Sequence, residues 1–367
     1  MEKTKKYAVL AVFFAIIFGL GVAHLLASDA MYSDSERRAL EQTPTLSFEG
    51  VKDGTYQSAL EGYLQDQFPL RDTFRGIKTL LNVNLWQMRD TNGYYFADGH
   101  WSQLSDETDL SQVNYAVGRF EYVLEQHPQI NNAFYAVVPD KNYFLAKQNG
   151  YASLDYDAIL ACMESLDAEK IDLFPLLTLN DYYKTDSHWR QECLQPVVET
   201  LCAAMGVAAA PYESYTQYEL ENFRGVYGDH TADLLHSETL IYLVNEAMQN
   251  ATVSRVNDMT GKWEEIPMYD ASEFENPDPY DVFLSGAEAL IRIENPNGRS
   301  DRHLILFRDS FGSSLAPLLT QSYASVTLVD LRYISANYLD SFIDFEDADV
   351  LFLYSTTMLN SAGGVLK

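Results

Sequence analysis

Basic residues are scarce in this chain. It carries 25 Lys and Arg against 53 Asp and Glu, a formal net charge of −28. A grip on phosphates needs a basic surface, so nucleic acid is excluded as a partner, and the acidity reads as serving solubility. Cysteine is scarcer still: Cys162, Cys193 and Cys202 allow at most one intrachain disulfide. Cys193 and Cys202 read as sharing a helix, where nine residues at about 100° each would set them on opposite faces and about 13 Å apart, beyond disulfide reach. No CxxC and no Cys/His spacing matches a structural zinc site, so the cysteines read as small buried hydrophobes. The stretch Gly225 to Gly228 is too short and too aromatic for a phosphate loop and reads as a turn. Internal repeats and low-complexity tracts are missing, and the residues call for no cofactor.

What is present is a globular composition. The 367 residues are 47% hydrophobic, enough for one large domain or two modest ones. The 25 Tyr and 19 Phe would suit sugar rings where exposed and would be core elsewhere. The N-terminus begins with Lys3, Lys5 and Lys6, and an uncharged, mostly apolar run from Tyr7 to Ala27 follows. At about 1.5 Å per residue that run would span a bilayer. The lysines would stay on the cytoplasmic side, leaving everything after Ser28 facing outward. Leu25-Leu26-Ala27 is a weak cleavage site, so a secreted form is the alternative to an uncleaved anchor.

Three segments are expected: an anchor or signal at 1–27, a polar stalk at 28–55, and a domain at 56–367 with a β-rich insertion at about 207–280. From Gln57 to Arg89 the apolar spacing predicts two helices broken at Pro69, then a hairpin at Gly93 to Trp101 and a helix from Leu110 to His127. A strand at Asn132 to Val138, helices at Tyr156 to Leu166 and Arg190 to Met205, and a strand at Ile171 to Phe174 alternate as in a parallel sheet. Pro196 is expected to kink the second helix. Within the insertion, Leu240 to Val244, Ala251 to Val256 and Lys262 to Met268 read as antiparallel strands with turns at Asn257-Asp258 and Thr260-Gly261. Strands are expected at Val282 to Leu284 and Leu290 to Ile293. Three apolar runs, His303 to Phe307, Val326 to Leu331 and Val350 to Tyr354, read as strands buried on both faces.

Two short pieces carry chemistry: Thr185-Asp186-Ser187-His188-Trp189 and Arg308-Asp309-Ser310-Phe311-Gly312. Ser310 falls between an apolar strand and a helix-like segment, where a hydroxyl is presented at a sheet's carboxyl edge. Asp186 sits two residues before His188, a spacing that lets a carboxylate orient an imidazole able to take the serine proton. The plainer reading makes Ser310 a helix cap and His188 a structural histidine packed on Trp189. The partnership of the two pieces favours nucleophile, base and orienter. Asp229, His230, Asp233 and His236 invite a metal, but their spacing matches no site and none is assigned.

Together with Glu36-Arg37-Arg38, Asp66-Gln67-Phe68-Pro69-Leu70-Arg71-Asp72, Val138-Pro139-Asp140-Lys141 and Val329-Asp330-Leu331-Arg332-Tyr333, these pieces resemble the DHHW protein family. That family is similar to the SGNH-hydrolase-like proteins of alginate O-acetylation, whose Asp-x-His-Trp and later Ser motifs have the same permuted order. The resemblance implies an α/β, SGNH-hydrolase-like (flavodoxin-like) parallel sheet between helices, with Ser310, His188 and Asp186 catalytic. Ser187 stands where the namesake motif has its first histidine, and the Asp-x-His spacing is intact. Where ordinary SGNH hydrolases place a Gly and an Asn as oxyanion donors, this chain has Arg332-Tyr333 and Tyr354-Ser355-Thr356. The Ser310 backbone N–H, Arg332, Tyr333, Ser355, Thr356 and Trp189 are therefore the candidates for oxyanion or substrate contact. By analogy the substrate is a polysaccharide or acetylated glycan, and a membrane-bound O-acyltransferase is the acetyl donor. The expected activity is extracytoplasmic O-acetyl transfer through an acetyl-serine. The alternatives are an acetylesterase with the same triad and a catalytically silent glycan-binding surface protein.

Overall fold

The apolar run folds as helix α1 (Glu2–Leu26), of which Thr4–Leu26 is long and apolar enough to cross a membrane. The computed structural model describes residues 2–257 and 259–367; Asp258, half of the expected Asn257-Asp258 turn, lies outside the described residues, as does the side chain of Lys3. Contacts divide the chain into two units, Met1–Thr91 with Asp229–Leu235, and Asn92–Gly228 with His236–Lys367.

In the first unit the stretch expected as a stalk carries a short ladder of β1 (Tyr32–Ser33) with β2 (Arg38–Ala39) and a one-turn helix α2 (Phe48–Asp53). Helices α3 (Thr55–Asp66) and α4 (Arg71–Leu80) follow. They are broken at Pro69 because its ring and missing N–H cannot continue a helix. Arg38 clasps Asp66 with two hydrogen bonds of 2.8 and 2.6 Å.

The second unit opens with the hairpin of β3 (Tyr94–Ala97) and β4 (His100–Gln103). Helix α5 (Leu110–Gln126), strand β5 (Asn132–Val138), helices α6 (Lys141–Leu145) and α7 (Tyr156–Met163), β6 (Glu169–Lys170) and α8 (Gln195–Ala204) follow in order. Then come β7 (Thr216–Phe223), α9 (Val226–His230), β8 (Glu238–Val244), α10 (Glu246–Gln249), β9 (Thr252–Val256), β10 (Trp263–Glu265) and β11 (Leu290–Glu294). The chain closes with β12 (His303–Arg308), α11 (Phe311–Leu319), β13 (Ser325–Val329), β14 (Asp349–Ser355) and α12 (Thr356–Leu359). Eight strands form one sheet in the order β10-β9-β11-β13-β12-β14-β5-β6. Alternate side chains enter two cores: Leu304, Leu306 and Leu351 pack with α8 and α11, whereas Ile305, Phe307 and Phe352 pack with α5 and α7. Each of these central strands is therefore buried on both faces and reads as a continuous apolar run.

The sheet is mixed, not all parallel. From β13 through β6 the pairs are parallel, but β11 runs antiparallel to β13 and to β9, and β9 antiparallel to β10. The insertion is thereby corrected. Strands β9 and β10 extend the main sheet, and β8 pairs with β7 in a hairpin of its own. The expected strand at Ile171 to Phe174 is instead β6 followed by a 3-10 turn at Phe174–Leu176, and Val282 to Leu284 follows another such turn, Pro279–Val282. Pro196 does not kink a long helix, because it occupies the first turn of α8, where a missing N–H costs nothing. Cys193 consequently lies in a separate 3-10 turn, Gln191–Cys193, and all three cysteines are free. The expected turn at Gly225 to Gly228 leads into the single-turn α9.

Candidate active site

Strand β12 lies between β13 and β14, and its continuation delivers Asp309 and Ser310 to the carboxyl edge of the parallel strands. Asp309 takes the capping role: one carboxylate oxygen accepts from the Phe311 N–H at 3.0 Å, the other from the Ser355 N–H at 2.8 Å. The Ser310 side chain makes no cap hydrogen bond. Its hydroxyl is left for another partner, and that partner is His188 Nε2 at 2.7 Å.

Asp186 and His188 occupy a tight loop closed by a 3.0 Å hydrogen bond from the Tyr183 N–H to the His188 carbonyl. Asp186 Oδ1 accepts from His188 Nδ1 at 2.5 Å and from the His188 backbone N–H at 2.9 Å, and Oδ2 accepts from the Val226 N–H at 2.8 Å. Serine, imidazole and carboxylate thus lie in one line, with Asp186 and His188 1% and 8% exposed. Outer groups fix the loop. Glu238 accepts from the N–H groups of Lys184 and Thr185 and from the Thr185 hydroxyl, and that hydroxyl in turn accepts from the Gly225 N–H. The Trp189 indole N–H donates to Ser314 Oγ at 2.9 Å and reaches the Phe311 carbonyl at 3.2 Å, which ties the histidine loop to the first turn of α11. Tyr280 stacks on the His188 ring at 3.9 Å and donates to the same Ser314 hydroxyl at 2.8 Å. The imidazole is therefore held in plane as well as at both nitrogens.

Burial alone would raise the Asp186 carboxyl, yet the His188 imidazole and the N–H groups of His188 and Val226 hold it well below the usual carboxylate range. Such a carboxylate can fix the Nδ1–H tautomer and stabilise imidazolium. Gly225 is confined by the same carboxylate, because a Cβ there would overlap the Asp186 side chain. Gly225→Ala is expected to cost about 1–3 kcal/mol of stability through overpacking and to lower turnover at least about tenfold by displacing Asp186. Urea melts and turnover with an acetyl ester measure the two effects, and unchanged turnover would refute the coupling.

Lys141 is buried behind the loop, donating to the carbonyls of Tyr183 at 3.0 Å and Lys184 at 3.4 Å, with its ammonium 4.9 Å from the Tyr227 ring centre. Burial pushes it down from 10.5 to about 7, against the pull of Asp186 and Glu238. Between those values the unfolded chain binds a proton that the folded chain does not, so this group makes stability rise with pH from about 7 to 10.5. The limiting slope is on the order of 1.4 kcal/mol per pH unit. Melts of wild type and Lys141→Met at pH 6.5 and 9.5 should show a larger alkaline gain in the wild type; parallel gains would contradict the assignment.

Beside Ser310 opens a cavity of about 170 Å³ lined by Asp140, Ser187, Tyr227, Arg332, Ser355 and Met358. Of the other expected contact residues, Arg332 and Ser355 reach it. Arg332 directs Nε and Nη2 to Asp330, and the Ser355 N–H is taken by Asp309. Three do not line it. Thr356 is buried against Asp140, Tyr333 is half-exposed beneath the Arg332 guanidinium, and Trp189 is wholly buried. Trp189 positions the loop through its indole. Among the described residues no group of three or more His, Cys, Asp or Glu is arranged to hold a metal ion. Sequence reading missed Glu238 and Tyr280, which lie 50 and 92 residues beyond His188 and carry no local motif. Gly225 offered a signal as a glycine next to an aromatic turn, but its reason, the carboxylate against its Cα, is visible only in three dimensions.

Residues 177–329 match the family described as DHHW protein. No curated protein matches it. Among solved structures, a DHHW family protein from Eubacterium siraeum aligns with a TM-score of 0.60 and 22% identity, over 75% of this chain and 95% of that one. Bacillus cereus PatB1 with a sulfonyl adduct aligns at 0.57 and 18%, over 74% and 96%. The O-acetyltransferase domain of Pseudomonas putida AlgJ aligns at 0.40 and 12%, over 73% and 90%.

Proposed function

We propose that this chain is a DHHW-family protein and a serine-dependent acyl transferase acting outside the cytoplasm, with Ser310 as nucleophile, His188 as general base and Asp186 as its orienter. The observation that carries the reading is the continuous line from Ser310 Oγ through both imidazole nitrogens to a buried carboxylate. His188 Nε2 takes the hydroxyl proton as Ser310 Oγ bonds to the acyl carbon, and the imidazolium returns that proton to the departing group. An acceptor hydroxyl then gives its proton to His188 and attacks the acyl-serine, and as the acyl–Oγ bond breaks the imidazolium returns that proton to Ser310 Oγ. The Ser310 backbone N–H is the first candidate oxyanion donor, and Arg332 stands at the cavity to meet acceptor or oxyanion.

The cavity beside Ser310 suits a small acyl group such as acetyl, and the half-exposed hydroxyl leaves the acceptor to approach from solvent. A polysaccharide hydroxyl as acceptor makes an O-acetyltransferase; water makes an esterase. An outward topology behind α1 favours a cell-surface or exported polysaccharide, supplied with acetyl groups by a membrane-bound O-acyltransferase. A silent glycan-binding module would have no need of a serine withdrawn from capping and aimed at an imidazole.

Covalent labelling tests the reading. The chain treated with an arylsulfonyl fluoride should gain one adduct located by mass spectrometry at Ser310, and His188→Ala should lose it. Acetyl-Ser310 formed from an acetyl ester should then discharge faster on addition of an oligosaccharide if sugar is the acceptor. Failure of wild type to label would move the assignment to the glycan-binding module.

A further inference from the structure

Outside the active site a strongly apolar concavity lies on the first unit. Helices α3 and α4 form an open groove of about 590 Å³ whose floor is Leu60, Leu64, Phe68 and Phe74. Phe68 and Phe74 meet edge to face at 5.8 Å, yet 39% and 45% of their surfaces remain exposed; Leu70 and Trp86 are 66% and 60% exposed. A contiguous apolar face of this kind on a water-exposed helix pair marks a surface that something covers.

The position of the hairpin identifies what. His24, in the last turn of α1, donates from Nδ1 to the Gln67 carbonyl at 3.0 Å, and its ring meets Tyr63 edge on at 5.8 Å. Just past the helix, the Ala30 N–H donates to Gln67 Oε1 at 2.9 Å, and the Tyr63 hydroxyl donates to Asp29 at 2.9 Å. The joint between α3 and α4 is therefore fastened to the outer end of α1, one residue away from Phe68. The apolar window of α1 is not buried within the protein at all. Where α1 leaves the hydrocarbon, the hairpin meets the headgroup layer.

We propose that the α3–α4 hairpin lies in the outer interface of the bilayer that α1 crosses, with Leu64, Phe68, Leu70 and Phe74 dipping to the acyl boundary. Two amphipathic helices with Phe and Leu on one side and Arg71, Arg75 and Lys78 at the groove's margin have the composition of an interfacial segment. The Arg71 and Arg75 guanidiniums are taken up by Glu36 and Asp72 at 2.7 and 2.9 Å, which leaves the rings and leucines as the part of the hairpin offered to lipid. The proposal rests on reading α1 as a spanning helix. It gives the chain two contacts with the lipid and limits how freely the first unit can rotate about its anchor.

The test uses the full-length chain in phosphatidylcholine nanodiscs, with either ordinary or tail-brominated lipid. In a Trp86→Phe background, which keeps Trp101, Trp189 and Trp263 and whose spectrum is subtracted as the parent, a reporter tryptophan is placed by Phe74→Trp, and in a separate variant by Phe14→Trp within α1; retained labelling at Ser310 shows that each variant folds. The Phe74→Trp reporter should lose about half its emission in brominated lipid and be shielded from aqueous acrylamide. Quenching of Phe14→Trp but not of Phe74→Trp, with acrylamide reaching the latter, would overturn the proposal and leave the anchor standing. A Phe14→Trp reporter untouched by bromine would remove the anchor and the proposal with it. Shielding of Phe74→Trp from lipid and acrylamide alike would mean that protein, such as a second copy of the chain, covers the groove, and would also overturn it.

Discussion

Ser310→Ala is expected to lower turnover of an acetyl ester by at least about 10³-fold, because without a nucleophile only binding and oxyanion stabilisation remain. Stability should change by less than about 0.5 kcal/mol, since a half-exposed hydroxyl with no backbone duty has little to lose. That separation comes from Asp309. Because the neighbouring carboxylate receives the Phe311 and Ser355 N–H groups, the serine can be cut back without uncapping α11 or detaching β14. Turnover and urea melts on the same preparations decide the matter. A variant that keeps a tenth of the wild-type rate would end the nucleophile assignment, and one that is inactive but also several kcal/mol less stable would point to a structural serine.

Asp186→Asn is expected to lower turnover comparably, by at least about 10³-fold, and to lose about 1–3 kcal/mol of stability as well. The reason lies in the donors around the carboxylate. Oδ1 accepts two N–H groups of His188 and Oδ2 accepts that of Val226. An amide offers one acceptor. If its oxygen faces His188, its NH₂ is driven against the Val226 N–H; if it turns round, the NH₂ faces His188 and favours the imidazole tautomer unable to take the Ser310 proton. Either way a buried donor loses its acceptor, and the charge that would balance imidazolium is gone. Turnover within tenfold of wild type would show that His188 needs no carboxylate.

The central strands were legible because burial on both faces forces unbroken apolar runs: β5, β12 and β14 fall within a residue or so of where the runs predict them. The Asp186, His188 and Ser310 grouping was legible too, since two residues of spacing and a strand-to-helix turn are local facts. Direction was not. Leu290 to Glu294 reads Leu-Ile-Arg-Ile-Glu, a strand pattern in which nothing within five residues says that it runs against β13. Strands β9 and β10 were predicted as strands, but the same limit hid their places at the sheet's edge, which are set by β11 far along the chain. Contact residues predicted from their nearness to β13 and β14 fared unevenly for a related reason. Arg332 and Ser355 reach the cavity, whereas Thr356, one position on, turns inward to Asp140.

The last strand of the sheet has a bearing on timing. Strand β14 is inserted between β12 and β5, pairing Arg308 with Leu353 on one side and Ser355 with Val138 on the other. The final strand of the chain is thus an interior strand of the sheet, with β5 and β6 beyond it, and the Ser355 N–H at its tip holds the carboxylate adjoining Ser310. Synthesis from the N-terminus makes the histidine loop and Ser310 before that strand. Until that strand arrives, β12 and β5 have no common partner, and such long-range closure comes late in folding. The frame that holds Asp309 beside Ser310 is therefore complete only once the last strand has docked.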